Sequence, residues 1–390
     1  MKTKIVIISS RFPFPLDKGD KLRIFNQIKY LSITHDIYLI SLNTDRRITN
    51  KEFDSVNKYC KKIDIITLSH ITIIINLIKA FILKKPLQVG FFYSKSAHKK
   101  IQKIINHIKP KWVYSQLIRT SEYTKEYEYN IIDYMDSLSK GLERRIKKFP
   151  FFLKPLINRE FKLTKEYESE IFNHFKKHTI ITQNDRKFIS HVNNKKIAII
   201  PNGVDTNYYY PIQKITKKYD LIFVGNMSYP PNIEAVEFLC QLVLPIIHKT
   251  HYNCNVLISG ATPHKRVKKL ANKYITIKGW TNDIREIYAS GKIFVAPMFI
   301  GTGLQNKLLE AMAMGIPCIT TSLANNALLA DNSEIIIANN QEDFASSCIK
   351  ILNSTEIANN LSKKGLEFIK KTYNWKIINN DLKLLFNNEE

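Results

Sequence analysis

The chain is poor in several things, and each shortage removes a class of protein. Of 390 residues only five are cysteine: Cys60, Cys240, Cys254, Cys318 and Cys348. They are scattered, odd in number and never at metal-ligand spacing, so neither a disulfide scaffold nor a zinc module is expected, and a reduced compartment fits. No apolar run is long. The longest, Ile71–Leu83, holds Asn76 and Lys79 and falls short of the roughly 20 residues a membrane span needs. A buried or interfacial helix is the expectation there, with no transmembrane segment. The apolar run Ile5–Ile8 near the N-terminus is too short for a signal peptide. There is no P-loop and no Asp-x-Asp pair.

Acidic residues are also scarce, 34 against 59 Lys and Arg, for a net charge of +25. The deficit is lopsided. The first 200 residues hold 39 of the basic residues and 18 of the acidic ones. A genome-wide bias toward Lys, Ile and Asn codons would act on both halves. The N-terminal half is therefore expected to meet an anionic partner: a bilayer surface, a lipid phosphate or nucleic acid.

What is present is alternation. Short apolar runs at Lys4–Ser10, Asp36–Leu42, Lys62–Leu68, Trp112–Ser115, Asn130–Tyr134, Thr179–Thr182 and Ile197–Pro201 read as buried strands, separated by helical patterns such as Leu22, Phe25, Ile28 and Leu31. After the basic stretch Gln213–Lys218 the alternation restarts. Strands are expected at Tyr219–Gly225, Val256–Gly260, Ile275–Lys278, Ile293–Pro297, Cys318–Thr321 and Ile335–Ala338, with a helix from near Pro231 to about His248. The pattern predicts an α/β protein of two doubly wound domains, residues 1–200 and 201–373. A last helix over 374–390 is expected to pack back on the first. Between Lys140 and Leu163 the character changes: basic residues mix with Phe149, Phe151, Phe152 and Phe161, and the segment Lys140–Lys162 is expected to dock on anionic lipid.

In open α/β sheets ligands gather outside the carboxyl ends of the strands, so the loops after strands carry the chemistry. Ser9–Arg23 offers Gly19 for close backbone approach and Arg11, Lys18 and Lys21 for charge; the plainer account is a proline-stiffened loop with Asp20 as a helix cap. In Gly225–Asn232, Gly225 ends a strand and Asn226 can hydrogen-bond a ligand, or the segment is an ordinary turn. In Gly279–Asp283, Trp280 can stack on a base or fill a core, while Asp283 caps the next helix either way. The richest loop is Gly301–Gly315, GTGLQNKLLEAMAMG. Two glycines precede a helix start, where free N–H groups and the dipole attract phosphate. Lys307 and Glu310 share one face of that helix. Asn at 306 breaks G-x-G-x-x-G, so a dinucleotide fingerprint is not expected.

Taken in order, IIPNGVD at Ile199–Asp205, LIFVGNMSYPPN at Leu221–Asn232, VLISG at Val256–Gly260, IKGWTNDIREIYAS at Ile277–Ser290 and FVAPMFIGTGLQNKLLEAMAMGIPCITT at Phe294–Thr321 resemble the family 4 retaining glycosyltransferases. SSRFPFPLDKGDKLR and IIDYMDSLS (Ile131–Ser139) are similar to a subgroup tied to exopolysaccharide assembly. The resemblance implies a GT-B fold, two Rossmann-like doubly wound domains facing each other across a cleft. It implies a nucleotide-diphosphate sugar as co-substrate, no cofactor and no metal. A donor set of Gly225, Asn226, Trp280, Gly301, Thr302, Gly303, Leu304, Lys307 and Glu310 follows from it, with Glu310 on the ribose and Lys307 on the diphosphate. Gly19 would lie near the reacting phosphate, so Lys307, Glu310 and Gly19 are the implied catalytic positions. Arg11, Lys18, Asp133 and Asp136 are acceptor-side candidates; a helix cap and turn accounts equally well for the two aspartates.

Three departures stand out. Many members carry a second glutamate where Thr302 stands, and Arg and Lys after the FVG strand where Asn226 stands. Many also have a histidine where VYSQLIRTSE has none. The implied function is sugar transfer with retention to a saccharide or lipid-linked acceptor in bacterial surface polysaccharide assembly, in the cytoplasm or on the inner face of the plasma membrane. The rival readings are a nucleotide-sugar epimerase, a non-catalytic nucleotide-sugar-binding partner subunit and a basic nucleic-acid-binding protein. The last lacks any zinc, RNA-recognition or helix-turn-helix signature, and no nucleic acid partner is expected.

Overall fold

A computed structural model describes residues 2–387 apart from 45, 46, 147, 148, 213, 252 and 302. The chain divides into two compact units, Met1–Pro201 with Asn379–Glu390, and Asn202–Ile378.

The first unit is built on seven parallel strands. They are β1 (Thr3–Ser9), β2 (His35–Asn43), β3 (Lys62–Thr67), β4 (Trp112–Gln116), β5 (Asn130–Asp133), β6 (Lys177–Ile180) and β7 (Ala198–Ile199), in the order β3-β2-β1-β4-β5-β6-β7. Ile5 sits beside Ile37 on one side and Trp112 on the other, so the central strand is apolar on both faces, as a sheet covered by helices requires. One face carries Val6, Ile8, Ile40 and Leu42 against Ile101 and Ile105 of the helix Lys95–Ile108. β6 begins two residues before the expected TIIT run, because Lys177 and His178 pair with β5. His178 stacks flat on Phe172 at 3.8 Å, and burial pulls its imidazole down to about 4. The residues of the last helix (Trp375–Asn387) from Asn379 onward belong to this unit, where Phe386 packs against Trp112, Tyr114 and His35.

The second unit has six parallel strands: β8 (Tyr219–Val224), β9 (Val256–Ser259), β10 (Ile275–Lys278), β11 (Gly291–Ala296), β12 (Cys318–Thr320) and β13 (Ile336–Ile337), ordered β10-β9-β8-β11-β12-β13. The strand order reverses between β8 and β11, so the crevice where such sheets bind ligands opens there. After β8 a helix starts at Pro230 and runs to Phe238, widens into a π-turn over Leu239–Val243, and finishes as Leu244–Ile247. Pro245 has no N–H to give the carbonyl one turn back, and the widened turn absorbs that loss. The stretch Pro230–Ile247 is long and apolar enough to cross a membrane. Its apolar residues are already used, since Ile233, Val236, Leu239, Val243, Leu244 and Ile247 all sit in the core of this unit.

One buried ion pair ties the first sheet together. Arg23, on the helix Gly19–Leu31, donates from Nε to Asp133 Oδ2 at 2.6 Å and from Nη2 to Oδ1 at 3.0 Å, and both side chains are fully buried. Burial alone would lower Arg23, but Asp133 outweighs it and holds the guanidinium above its usual value. Arg23 Nη1 also donates to the carbonyls of Ile200 and Pro201. Asp133→Ala would leave a buried, uncompensated cation. The expected loss is about 3–5 kcal/mol of unfolding free energy, read by urea denaturation followed by circular dichroism. A loss under about 1 kcal/mol would mean that water reaches the pair.

Candidate functional site

The carboxyl ends of β8, β9 and β11 bring Gly225, Asn226, Lys307 and Glu310 together, while Trp280 follows β10 and makes no contact with them among those described. Gly260, after β9, has φ +150°, and a Cβ there would fall 1.7 Å from the carbonyl oxygen of Gly225. A Cβ on Gly225 would in turn stand 2.7 Å from Asn232 Nδ2. Gly225 is thus needed for protein packing: its missing side chain is where Asn232 sits. Asn232 donates to the carbonyl of Asn226 at 2.8 Å and accepts from Lys307 Nζ at 2.5 Å. Asn226 itself closes the loop. Its Oδ1 accepts from the backbone and hydroxyl of Ser228 and from Thr262.

Lys307 lies in the first turn of the helix Asn306–Ala313. Its ammonium stands 5.0 Å over the Phe223 ring and 3.7 Å from Met298 Sδ. Burial pulls it down to about 7, and the charge of Glu310 opposes the fall. Glu310, one turn on, is pushed up to about 7 by burial, against the pull of Tyr288, Lys307 and Tyr209. Tyr288 donates to Glu310 Oε2 at 2.8 Å and is itself wholly buried. The carboxylate thus keeps one oxygen on a fixed phenol, with hydrogen-bonding capacity left on the other. The small apolar residues that follow, Ala311, Met312 and Ala313, are buried against the sheet, so the helix cannot turn Glu310 outward.

The loop before this helix is open. Gly301 has φ +95°, a conformation L side chains rarely adopt, and a Cβ on Gly303 would meet nothing within 4 Å. No side chain caps the helix at Gln305, and Leu304 packs against the core. Thr302 lies outside the described residues. Trp280 is 71% exposed, whereas Trp112 and Trp375 are the core tryptophans of the chain. The alternative of a core Trp280 therefore fails. Asp283 caps the following helix by accepting from Arg285 N at 3.0 Å.

In the first unit, Arg11 Nη1 binds Asp20 Oδ2 at 2.7 Å, and Arg119 approaches the same oxygen at 3.8 Å. Both guanidiniums lie over the Phe92 ring. Asp20 is therefore the partner of two arginines and not a helix cap; Lys18 holds the cap position with no side-chain bond. Gly19 opens that helix, with Met135 Cε 3.4 Å from where its Cβ would be. Arg11, Lys18, Lys21, Phe12 and Phe14 line a cavity of about 250 Å³. Asp133 faces inward: besides Arg23 it accepts from Thr179 and from the backbone of Met135, which leaves nothing for an acceptor. Asp136 is different. Burial, and then Asp185, push its carboxyl up to about 6.

Sequence reasoning missed Asn232, Tyr209, Tyr288 and Arg119. The first carried a faint signal, since a polar side chain directly after two prolines at a helix start is held in a fixed position. Tyr209 and Tyr288 lie 101 and 22 residues from Glu310, and nothing local marks them.

Residues 218–354 match the family model described as Glycosyl transferases group 1. The chain is 24% identical to an uncharacterized 44.6 kDa protein in the cps region of Klebsiella pneumoniae, over 96% of this chain and 97% of that one. It is 25% identical to the UDP-Gal:alpha-D-GlcNAc-diphosphoundecaprenol alpha-1,3-galactosyltransferase of Escherichia coli, over 44% and 49%. Anabaena HepE, solved with UDP and glucose, superposes with a TM-score of 0.68 at 11% identity over 99% of each chain, which gives the fold as GT-B.

The raised Glu310 has a consequence for stability. A carboxyl at about 7 when folded and near 4.5 when unfolded disfavours folding as pH rises above the lower value, in full above the upper one. Glu310→Gln keeps the Tyr288 contact and removes that cost. It should stabilise the protein by on the order of 1 kcal/mol at pH 8 and much less at pH 5, read by thermal unfolding at both. Equal shifts at the two pH values would show that Glu310 is not held protonated.

Proposed function

We propose that the chain is a glycosyltransferase of the group 1 type, on the match of residues 218–354, and that its second unit binds a nucleotide-diphosphate sugar and its first unit the acceptor. The observation that carries the donor reading is the arrangement of Lys307 and Glu310 on one helix start. A half-buried amine that titrates near neutrality takes up its proton, and so its charge, when a diphosphate arrives. The N-terminus of the helix Asn306–Ala313, which no side chain caps, adds its dipole to the same reading. Glu310, with Tyr288 behind it, offers carboxylate oxygen to the two hydroxyls of a ribose. Trp280, exposed beyond the end of β10, is assigned to the base on the strength of that exposure.

In this reading, transfer proceeds with retention at the anomeric carbon. Charge grows on the leaving diphosphate as the glycosidic bond breaks. Lys307 and the helix dipole stabilise that charge without reorganising, so no divalent ion is required. Lys307 supplies the cation that many relatives place after the FVG strand, where this chain has Asn226. The acceptor is a lipid-linked saccharide of a surface polysaccharide, presented at the inner face of the plasma membrane. The support for this is the cps-region relative, the diphosphoundecaprenol acceptor of the Escherichia coli enzyme and the basic first half. Because Asp133 is engaged internally, Lys18, Asp136 and the Arg11–Asp20–Arg119 group are the acceptor-side residues that remain.

Two variants test the site. Lys307→Ala should lower kcat/KM by about 100-fold or more, while Glu310→Ala should chiefly weaken donor binding, by about tenfold. Steady-state assays with nucleotide sugars chosen by thermal shift read both. Unchanged turnover in Glu310→Ala would remove that residue from the site; no turnover in the wild type with any nucleotide sugar would favour a non-catalytic partner subunit. Excess EDTA is expected to leave the rate unaltered; a metal-restored loss would overturn the metal-free mechanism. Product NMR reporting an inverted anomeric centre would overturn retention.

A further inference from the structure

The helix His70–Ile82 presents two unlike faces. Ile73, Leu77 and Ala80 recur one turn apart and face inward, and Asn76 donates to the carbonyl of Tyr93. The inner face packs closely, because a Cβ on Gly90 would lie 2.4 Å from that of Ala80. The outer face is also apolar. Ile71, Ile74, Ile75, Ile78 and Ile82 are all exposed, Ile71 by 73% and Ile82 by 70%, with Phe81 and Leu83 beside them. A water-facing helix normally carries charge on this side.

A second apolar projection joins it. Phe151, at 82% exposure, and Phe152 lie in a short turn before the helix Lys154–Glu170. Arg159 of that helix links the two elements, donating to the Phe81 carbonyl at 2.5 Å with its guanidinium 4.2 Å over the Phe81 ring. The segments that form the patch carry charge of one sign, and of their cations Lys85 is paired with Glu122 from outside them. Residues 70–87 and 149–159 contain Lys79, Lys84, Lys85, Lys154 and Arg159 and no acidic residue. Glu160, next in line, is buried and accepts from the backbone of Leu87. An exposed apolar area of this kind marks an interaction site.

We infer that this surface, the outer face of His70–Ile82 with Phe151 and Phe152, is where the first unit seats on an anionic bilayer. The inference deepens the lipid-linked acceptor proposed above and rests on it only for biological purpose. A helix of 13 residues is too short to span and has the length and pattern to lie in the interface, with isoleucines among the acyl chains and lysines at the phosphates. The charge decides against a second copy of this chain, which would set basic rim against basic rim. Of the basic-aromatic segment expected to dock on lipid, only the part around Phe151 and Phe152 belongs to this surface. Within Lys140–Leu163, Lys140 pairs with Glu143 and lies over Phe188, as does Arg144, and Phe149 and Phe161 are partly buried. The apolar bulk comes instead from the isoleucine helix.

Co-sedimentation with vesicles tests it, using phosphatidylcholine alone and phosphatidylcholine with phosphatidylglycerol at about 7:3. The full chain should pellet with the mixed vesicles, less so in 0.5 M salt, and weakly with the neutral ones. Ile74→Glu/Ile78→Glu and, separately, Phe151→Ser/Phe152→Ser should each weaken partitioning by about tenfold, with unchanged circular dichroism and unchanged transfer to a detergent-dispersed acceptor. Wild-type partitioning in both variants would overturn the inference, as would binding indifferent to anionic lipid. So would a dimer in sedimentation velocity that the Ile78 change dissolves. Absent transfer with intact vesicle binding would overturn the functional reading and leave this surface standing.

Discussion

The second unit is organised around two opposite charges that it only partly lets out of water. Lys307 and Glu310 are one helical turn apart, and burial moves each toward its neutral form, to about 7 from either side. Such a pair costs stability in the empty protein, because neither group is as well solvated as in the unfolded chain. The fold holds it by over-determination. Asn232 fixes the ammonium, Tyr288 and Tyr209 fix the carboxylate, and buried Leu308, Leu309, Ala311 and Met312 fix the helix. Asn232 needs the space that Gly225 leaves, and Gly225 needs Gly260 beside it. One functional requirement thus propagates through three strand ends.

The first unit handles charge in the opposite way. Arg23 and Asp133 are completely buried, but their hydrogen bonds are satisfied within the unit. This is a closed pair, and it pins the helix Gly19–Leu31 to β5 and to the chain after β7. The open charge lies elsewhere, at Arg11, Asp20, Arg119 and Asp136, near the carboxyl ends of β1, β4 and β5. Farther out, the excess of Lys and Arg flanks an unpartnered isoleucine face. The lopsided charge of the sequence therefore has a surface on which to act.

Much of this was legible before any coordinates. The thirteen strands follow from apolar runs because parallel strands covered on both faces need no alternation to announce them. The Gly301–Gly315 segment was legible because helix-start chemistry is local: glycine, Lys307 and Glu310 lie within ten residues. What stayed hidden was long-range or directional. Tyr209 reaches Glu310 from a distant part of the chain. Asp133 and Asp136 are three residues apart, yet one is sealed and the other is not, and no local pattern separates them. The run Ile71–Leu83 is apolar on every side, so periodicity could not say which face would lack a partner. Trp280 was ambiguous for the same reason, since a tryptophan has the same apolar body in a core or on a surface.

The central claim is that Lys307 and Glu310 together form the donor site, each in its charged form when the donor is bound. Calorimetric titration of a UDP-sugar across pH 5.5–9, with wild type and Lys307→Ala, tests it most directly. The account predicts a bell-shaped affinity with its maximum near 7: an acid limb where Glu310 gains a proton and an alkaline limb where Lys307 loses one. Lys307→Ala should bind more weakly and lose only the alkaline limb. An alkaline limb that survives in Lys307→Ala, or a flat wild-type profile, would contradict it.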